Sequence, residues 1–346
     1  MKKKLISAAQ ALVTIGLLVW IFRDPVKNAE MAEAVSRAKW GWLLPGLASV
    51  GLACLLQTQR WFLLLRVQGV GMSWLRTLKI YMVGMFFNLF LLGSTGGDVV
   101  KIYYAMQEAK TRKEAALLSV LVDRIMGLLG LVVLTAVVVS LRWRELMAHQ
   151  LTQALLLVLA GVMGGMLAVI AIGFFVDRLG LSQRVPAWMP LHKRIVEFAK
   201  AFSIYARDGQ ILGATLGISV VCHICNFCAF YFAARALGEF PGWVGLLDVS
   251  SVMPIIMTIT SLPVSLSGVG VREGLFENLF AVMFATPKSV AVPLSLLGFC
   301  FTVFWAVVGG FIYFLYRPSD GLHLREMARE VDDVERDIEK ANSRQS

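Results

Sequence analysis

Six apolar runs dominate this sequence, at roughly 5–22, 40–65, 115–141, 151–176, 210–236 and 289–316. Each is long enough to cross the ~30 Å hydrocarbon layer of a membrane. Backbone inside lipid must satisfy its own hydrogen bonds, so runs of this length fold as helices. Composition agrees: 58% of the residues are hydrophobic and 16% charged, where soluble chains average ~45–50% apolar and ~25% charged. The expected fold class is an all-α polytopic membrane protein. A formal net charge of +10 would suit nucleic acid. Here, however, the charges sit in the connections between apolar runs, as membrane topology requires, and no nucleic-acid partner is expected. Cys54, Cys222, Cys225, Cys228 and Cys300 all lie within apolar runs, which argues against a disulfide framework. The opening MKKK and the run to Phe22 resemble a signal peptide, but no small-residue cleavage site follows. An uncleaved first membrane helix is therefore expected.

Two further apolar regions are interrupted midway. One runs 80–93, breaks at STGGD and resumes over 99–109. The other runs 244–262, breaks at PVSLSGVG and resumes over 271–285. Each half is too short to span comfortably alone, so both are expected as re-entrant broken-helix hairpins. Non-helical backbone at membrane depth survives only where protein buries it or a watery cavity borders it. Ionisable residues there are costly enough to mark a functional site by default.

Lys and Arg set the orientation. With the N-terminus inside and both hairpins returning to their own side, 22 of the 33 fall on the cytoplasmic side, among them Arg60, Arg66, Arg76 and Lys79. Seven fall outside, and Lys101, Arg124, Arg235 and Arg272 lie in or near the membrane. Both termini are then cytoplasmic, and the two hairpins enter from opposite sides. Gly96 aligns with Gly268 and Lys101 with Glu273, giving a weak inverted repeat with halves at about 80–141 and 244–316. Paired discontinuous helices in inverted repeats are the sequence signature of secondary transporters. Residues 1–316 form the expected membrane domain and 317–346 a charged helical tail.

Two amphipathic stretches lie outside the membrane core. Residues 190–206 suit an interfacial helix on an anionic leaflet. Residues 322–340 place apolar side chains at threes and fours, either as a short coiled coil supporting a homo-oligomer or as a solvated helix.

Candidate site residues cluster at the breaks. Asn88, Gly96, Gly97, Asp98, Lys101 and Tyr104 belong to the first. Free N–H groups at a half-helix start, with the helix dipole and a nearby lysine, suit a phosphate headgroup, although Asp98 could equally cap the helix. Asp123 and Arg124 sit inside the 115–141 run and, as helix neighbours, point ~100° apart. Each needs a partner elsewhere, with Asp98, Lys101, Arg272 and Glu273 as candidates. Either a structural ion-pair network or direct substrate contact would account for them. Ser265, Ser267, Gly268, Gly270, Arg272 and Glu273 form the second break. Arg272 offers a bidentate fork for phosphate or carboxylate, and Glu273 is its counter-charge or a proton-coupling carboxylate. The run Cys222-His223-Ile-Cys225-Asn226-Phe-Cys228 does not present its cysteines on one helical face. Zinc sites draw ligands from a loop or from two elements, so buried small residues are expected and no metal. No nucleophile–base set or cofactor motif occurs; neither an enzyme nor a cofactor is expected.

Three motifs in order carry a family resemblance. They are N-x-x-x-x-G-S-x-GGD-x-x-K-x-Y (Asn88, Gly93, Ser94, Gly96, Gly97, Asp98, Lys101, Tyr103), DR-x-x-GL (Asp123, Arg124, Gly127, Leu128) and P-x-S-x-x-G-x-G-x-RE (Pro263 to Glu273). Together they resemble the lysylphosphatidylglycerol synthase transmembrane family, the flippase-like domain of the multiple peptide resistance factors. This chain has Leu92 where that family often has proline. The aminoacyl-transferase domain of the two-domain members does not follow, so lipid aminoacylation is not expected. The resemblance implies a stand-alone inner-membrane flippase or scramblase-like transporter of an anionic or zwitterionic phospholipid or lipid-linked headgroup. Lys101, Arg124 and Arg272 would meet the phosphate. A small-molecule or ion transporter on the same architecture, or a non-transporting scaffold for an envelope-lipid or glycosyltransferase pathway, are the alternatives.

Overall fold

A computed structural model describes residues 2–90, 96–109, 113–178, 209–262 and 265–315. The described chain is all-α, and the protein is a polytopic membrane protein. Its helices are α1 (Lys2–Phe22), α2 (Pro25–Ser36), α3 (Leu43–Val67), α4 (Trp74–Phe90), α5 (Gly96–Glu108) and α6 (Lys113–Leu141). They continue as α7 (Trp143–Leu146), α8 (Gln150–Arg178), α9 (Gly209–Ala236), α10 (Gly242–Ser261), α11 (Val271–Phe284) and α12 (Lys288–Leu315). The amphipathic stretches at 190–206 and 322–340 lie outside the described residues.

Among the described residues, five helices have the length and apolar character to cross a membrane: Trp40–Val67, Lys113–Leu141, Gly209–Ala236, Gly242–Ser261 and Lys288–Leu315. Shorter apolar stretches, Leu12–Phe22 and Gln150–Gly165, lie in α1 and α8. One of these findings differs from expectation. The first half of the second broken segment is not too short, because α10 begins at Gly242, just after Pro241, and runs 20 residues with Pro254 accommodated inside it.

Helices α3 and α9 form the antiparallel centre. The Lys39 N–H donates to the Ala236 carbonyl at 2.7 Å, and Trp42 stacks on Phe232 at 5.9 Å, so the start of α3 meets the end of α9. Both α6 and α12 pack against this pair. Two apolar cores flank it. Trp61, Leu65, Tyr81, Tyr103 and Phe301 belong to the core around α4 and α5. Phe227, Phe230, Met253, Phe276 and Phe280 belong to the core around α10 and α11. A long helix, a broken pair and a second long helix thus occur twice, as α3–α6 and as α9–α12, with lengths of 25, 17, 13 and 29 residues and then 28, 20, 14 and 28.

Glycine sets the closest approach between the halves of the first broken segment. A Cβ on Gly97 would fall 2.0 Å from the Gly84 carbonyl oxygen of α4 and 2.5 Å from Cγ of Asn88. Backbone cannot yield as a side chain can, and overpacking costs about 1–3 kcal/mol or more. Gly97→Ala should therefore push α5 off α4 and lower the melting temperature in detergent. An unchanged melt would show that the two helices are not in contact there.

The second break follows from left-handed backbone. Ser267 (φ 50°), Gly268 (φ 75°) and Gly270 (φ 85°) turn the chain between α10 and α11, a conformation costly for a side chain and free for glycine. Residues 263–264 of this break, and 91–95 of the other, lie outside the described residues.

Candidate anion site at the first broken helix

The first half-helix start is built by a cap from outside. Asn88, near the end of α4, turns its Oδ1 onto the Gly97 N–H at 2.9 Å, satisfying one of the free donors that every helix start leaves. Asp98 then points to α6, where it pairs with Arg124 at 2.6 Å. The other Asp98 oxygen is buried and has no hydrogen-bond partner among the described residues. Asp98 is thus a candidate partner that Arg124 does realise. Gly93 and Ser94 lie outside the described residues, and Gly96 contributes the first helical residue.

Asp123 finds a partner outside that set. Arg60 of α3 donates through Nε to its Oδ1 at 2.7 Å and through its guanidinium to Ser219 of α9 at 2.9 Å. Both Arg60 and Asp123 are buried. Gly127, one turn beyond Asp123, leaves room for this guanidinium, since a Cβ there would sit 3.2 Å from Arg60 Nη1. Arg60 is therefore no loop cation, and it leaves the cytoplasmic tally. Its signal in the sequence is a charge inside an apolar run, five residues before the run's end.

Lys101 lies in the same electrostatic neighbourhood, interacting with Asp123, Asp98, Arg124 and Arg60. It is 7% exposed. Its stem packs along Gly84, where a Cβ would lie 2.9 Å from Lys101 Cγ. The ammonium sits over the rings of Tyr81 at 4.3 Å and Trp61 at 5.5 Å. No carboxylate of the described residues is within ion-pair distance of it. The group thus holds three cations, Arg60, Lys101 and Arg124, against two carboxylates, Asp98 and Asp123. Desolvating an ammonium costs several kcal/mol, whereas cation–π contact returns ~0.5–2 kcal/mol. The rings alone do not repay that cost.

The second break holds its charges separately. Arg272 and Glu273 are 7% and 0% exposed. Arg272 donates to Glu273 Oε1 at 2.7 Å from Nη2 and to Ser295 Oγ at 3.2 Å from Nε, while its guanidinium lies 3.9 Å over the Phe299 ring. Ser295 in turn donates to Glu273 Oε1 at 3.1 Å, and Glu273 Oε2 accepts from the Gly270 N–H at 2.6 Å. Side chains this long reach across the ~100° between helix neighbours, and Glu273 is the counter-charge of Arg272. The expected single cluster is thus two groups: Arg272 is turned onto α12, while Lys101 and Arg124 stand with α3 and α6. Arg272→Glu would set two carboxylates side by side in the core and should lower the melting temperature sharply, with Arg272→Lys milder. Equal melts for both variants would contradict this arrangement.

The breaks nevertheless touch. Ser267 Oγ donates to the Leu89 carbonyl at the end of α4, at 3.4 Å. Ser265 is buried, its hydroxyl without a partner among the described residues. Tyr104 is directed elsewhere, into a small cleft with Lys79, Ile80, Val83 and Tyr313. Among the described residues no group of three potential ligands could hold a metal. His223 contacts the Gly127 carbonyl through Nε2 at 2.9 Å, and Cys54 contacts Met85 at 3.6 Å.

Comparison with known proteins gives two findings. The profile of the lysylphosphatidylglycerol synthase TM region matches residues 7–310. A protein of Methanothermobacter thermautotrophicus described as "UPF0104 membrane protein" is 26% identical over 250 residues, covering 66% of this chain and 70% of the relative.

Proposed function

This chain belongs to the lysylphosphatidylglycerol synthase TM-region family, and on that premise we propose that it carries a polar lipid across the inner membrane by binding the headgroup phosphate at Lys101. The observation that carries this reading is the buried ammonium with two ring neighbours and no described carboxylate at ion-pair distance, in a group of three cations and two anions. A phosphate there gains the Lys101 charge and the N-terminal dipole of α5, the two attractions that make half-helix starts anion sites. Arg124 stands at the rim, 48% exposed at its side chain and paired to Asp98, where it meets a headgroup entering from outside the core. The contact between Ser267 and Leu89 couples the two breaks, so a change at one is felt at the other.

The matched region is the transmembrane region rather than a transferase domain, which favours movement of lipid over its modification. The distribution of Lys and Arg supports cytoplasmic termini. The test is transbilayer movement of fluorescent phosphatidylglycerol in vesicles, read by dithionite quenching. Vesicles holding the protein should exchange leaflets at least tenfold faster than protein-free vesicles. Equal rates would overturn the reading.

A further inference from the structure

We propose that the cleft between α2 and α12 seats one hydrocarbon chain of a membrane lipid, with the lipid's polar end at Asn28; this rests on the lipid-handling reading above. The cleft measures about 550 Å³, within the ~300–1,000 Å³ usual for small-ligand sites. Its walls are apolar: Met31, Val35 and Trp40 on one side, Pro293, Leu296 and Cys300 on the other. Along α2, Asn28 to Ser36 spans about 12 Å at 1.5 Å per residue, a groove for an extended chain rather than a compact ring.

The two ends differ. At the far end Trp40 is 56% exposed and Val35 38% exposed, open apolar surface that in a membrane chain meets acyl tails. At the near end Asn28 gives its Nδ2 to the Phe22 carbonyl at 2.7 Å, leaving Oδ1 buried and without a partner among the described residues. A headgroup hydroxyl or ammonium would supply the missing donor. Next to Asn28 in the chain, Lys27 reaches Glu277 at 2.8 Å, as Lys288 does at 3.2 Å, and two cations on one carboxylate suit an anionic headgroup. The other polar side chain of the lining, Ser36, already donates to the Glu33 carbonyl. An apolar trough with a cationic, hydrogen-bonding end matches the two parts of a single phospholipid.

The experiment uses the whole chain in phosphatidylglycerol vesicles doped with phosphatidylglycerol bearing a diazirine at the end of one acyl chain. After irradiation, α2 and α12 peptides should carry several-fold more label than the exposed Leu157–Val158 face of α8. Ala32→Trp, at an exposed position of the cleft wall, should cut that labelling at least fivefold. It should leave α8 labelling unchanged. As a second measurement, added phosphatidylglycerol should protect Cys300 from maleimide in the parent protein and not in Ala32→Trp. Label spread equally over α2, α12 and α8 would overturn the proposal. So would protection of Cys300 without lipid, which would place the protein's own chain or a second copy in the cleft. Normal labelling with no leaflet exchange would instead contradict the transport reading and leave the lipid site standing.

Discussion

Asp123→Ala should destabilise the fold by about 3–5 kcal/mol, the usual result of removing one partner from a buried ion pair, with Arg60→Met close behind. In Asp123→Ala the Arg60 guanidinium keeps its Ser219 contact but loses the carboxylate that balances it in a site where both side chains are about 5% exposed. Replacing both partners with apolar residues of similar size, Arg60→Met with Asp123→Leu, removes the stranded charge along with the pair, and such replacements are often neutral. The double variant should therefore recover most of the lost stability, giving a large coupling in a double-mutant cycle. Thermal melts of the four proteins in one detergent check this. Additive losses would mean that the two groups do not act together. The pair joins α3 and α6 beside α9, so its stability is that of the central assembly.

Lys101→Met is expected to behave in the opposite way. It removes a buried ammonium with no described carboxylate at ion-pair distance, so the melting temperature should stay level or rise. Leaflet exchange of fluorescent phosphatidylglycerol should fall at least tenfold. Gain or constancy of stability with loss of function is the mark of a group retained for binding rather than folding. Lys101→Arg keeps the charge but presents a planar fork where the Tyr81 and Trp61 rings hold a compact ammonium. It should give intermediate exchange. A destabilised Lys101→Met protein with normal exchange would assign Lys101 to the fold instead.

Much of this was legible in the sequence because membrane burial makes pattern nearly sufficient. Long apolar runs have to be helices, and the second interruption marked a place where the helix stops, around Ser267 to Gly270. The Asp98–Arg124 pair was among the candidates, since an intramembrane charge calls for a partner and few were available. Arg60 was missed because a cation near the end of an apolar run is equally what a cytoplasmic loop looks like. Only the packing of α3 beside α6 and α9 makes it a core residue. The independence of the two charge groups was also invisible. Sequence gives the charges of Lys101 and Arg272 but not the helix faces that turn one toward Trp61 and the other toward Ser295 and Phe299. The cleft between α2 and α12 left no motif at all, being formed mostly by ordinary apolar residues from distant parts of the chain, such as Met31 and Pro293.

The central claim is that Lys101 waits for a lipid phosphate, and binding of dihexanoyl phosphatidylglycerol to the purified protein tests it most directly. Titration calorimetry on the parent protein and on Lys101→Met should show the affinity falling at least tenfold in the variant, with the neutral analogue dihexanoylglycerol binding both equally weakly. Equal affinity of the two proteins for dihexanoyl phosphatidylglycerol would contradict the account.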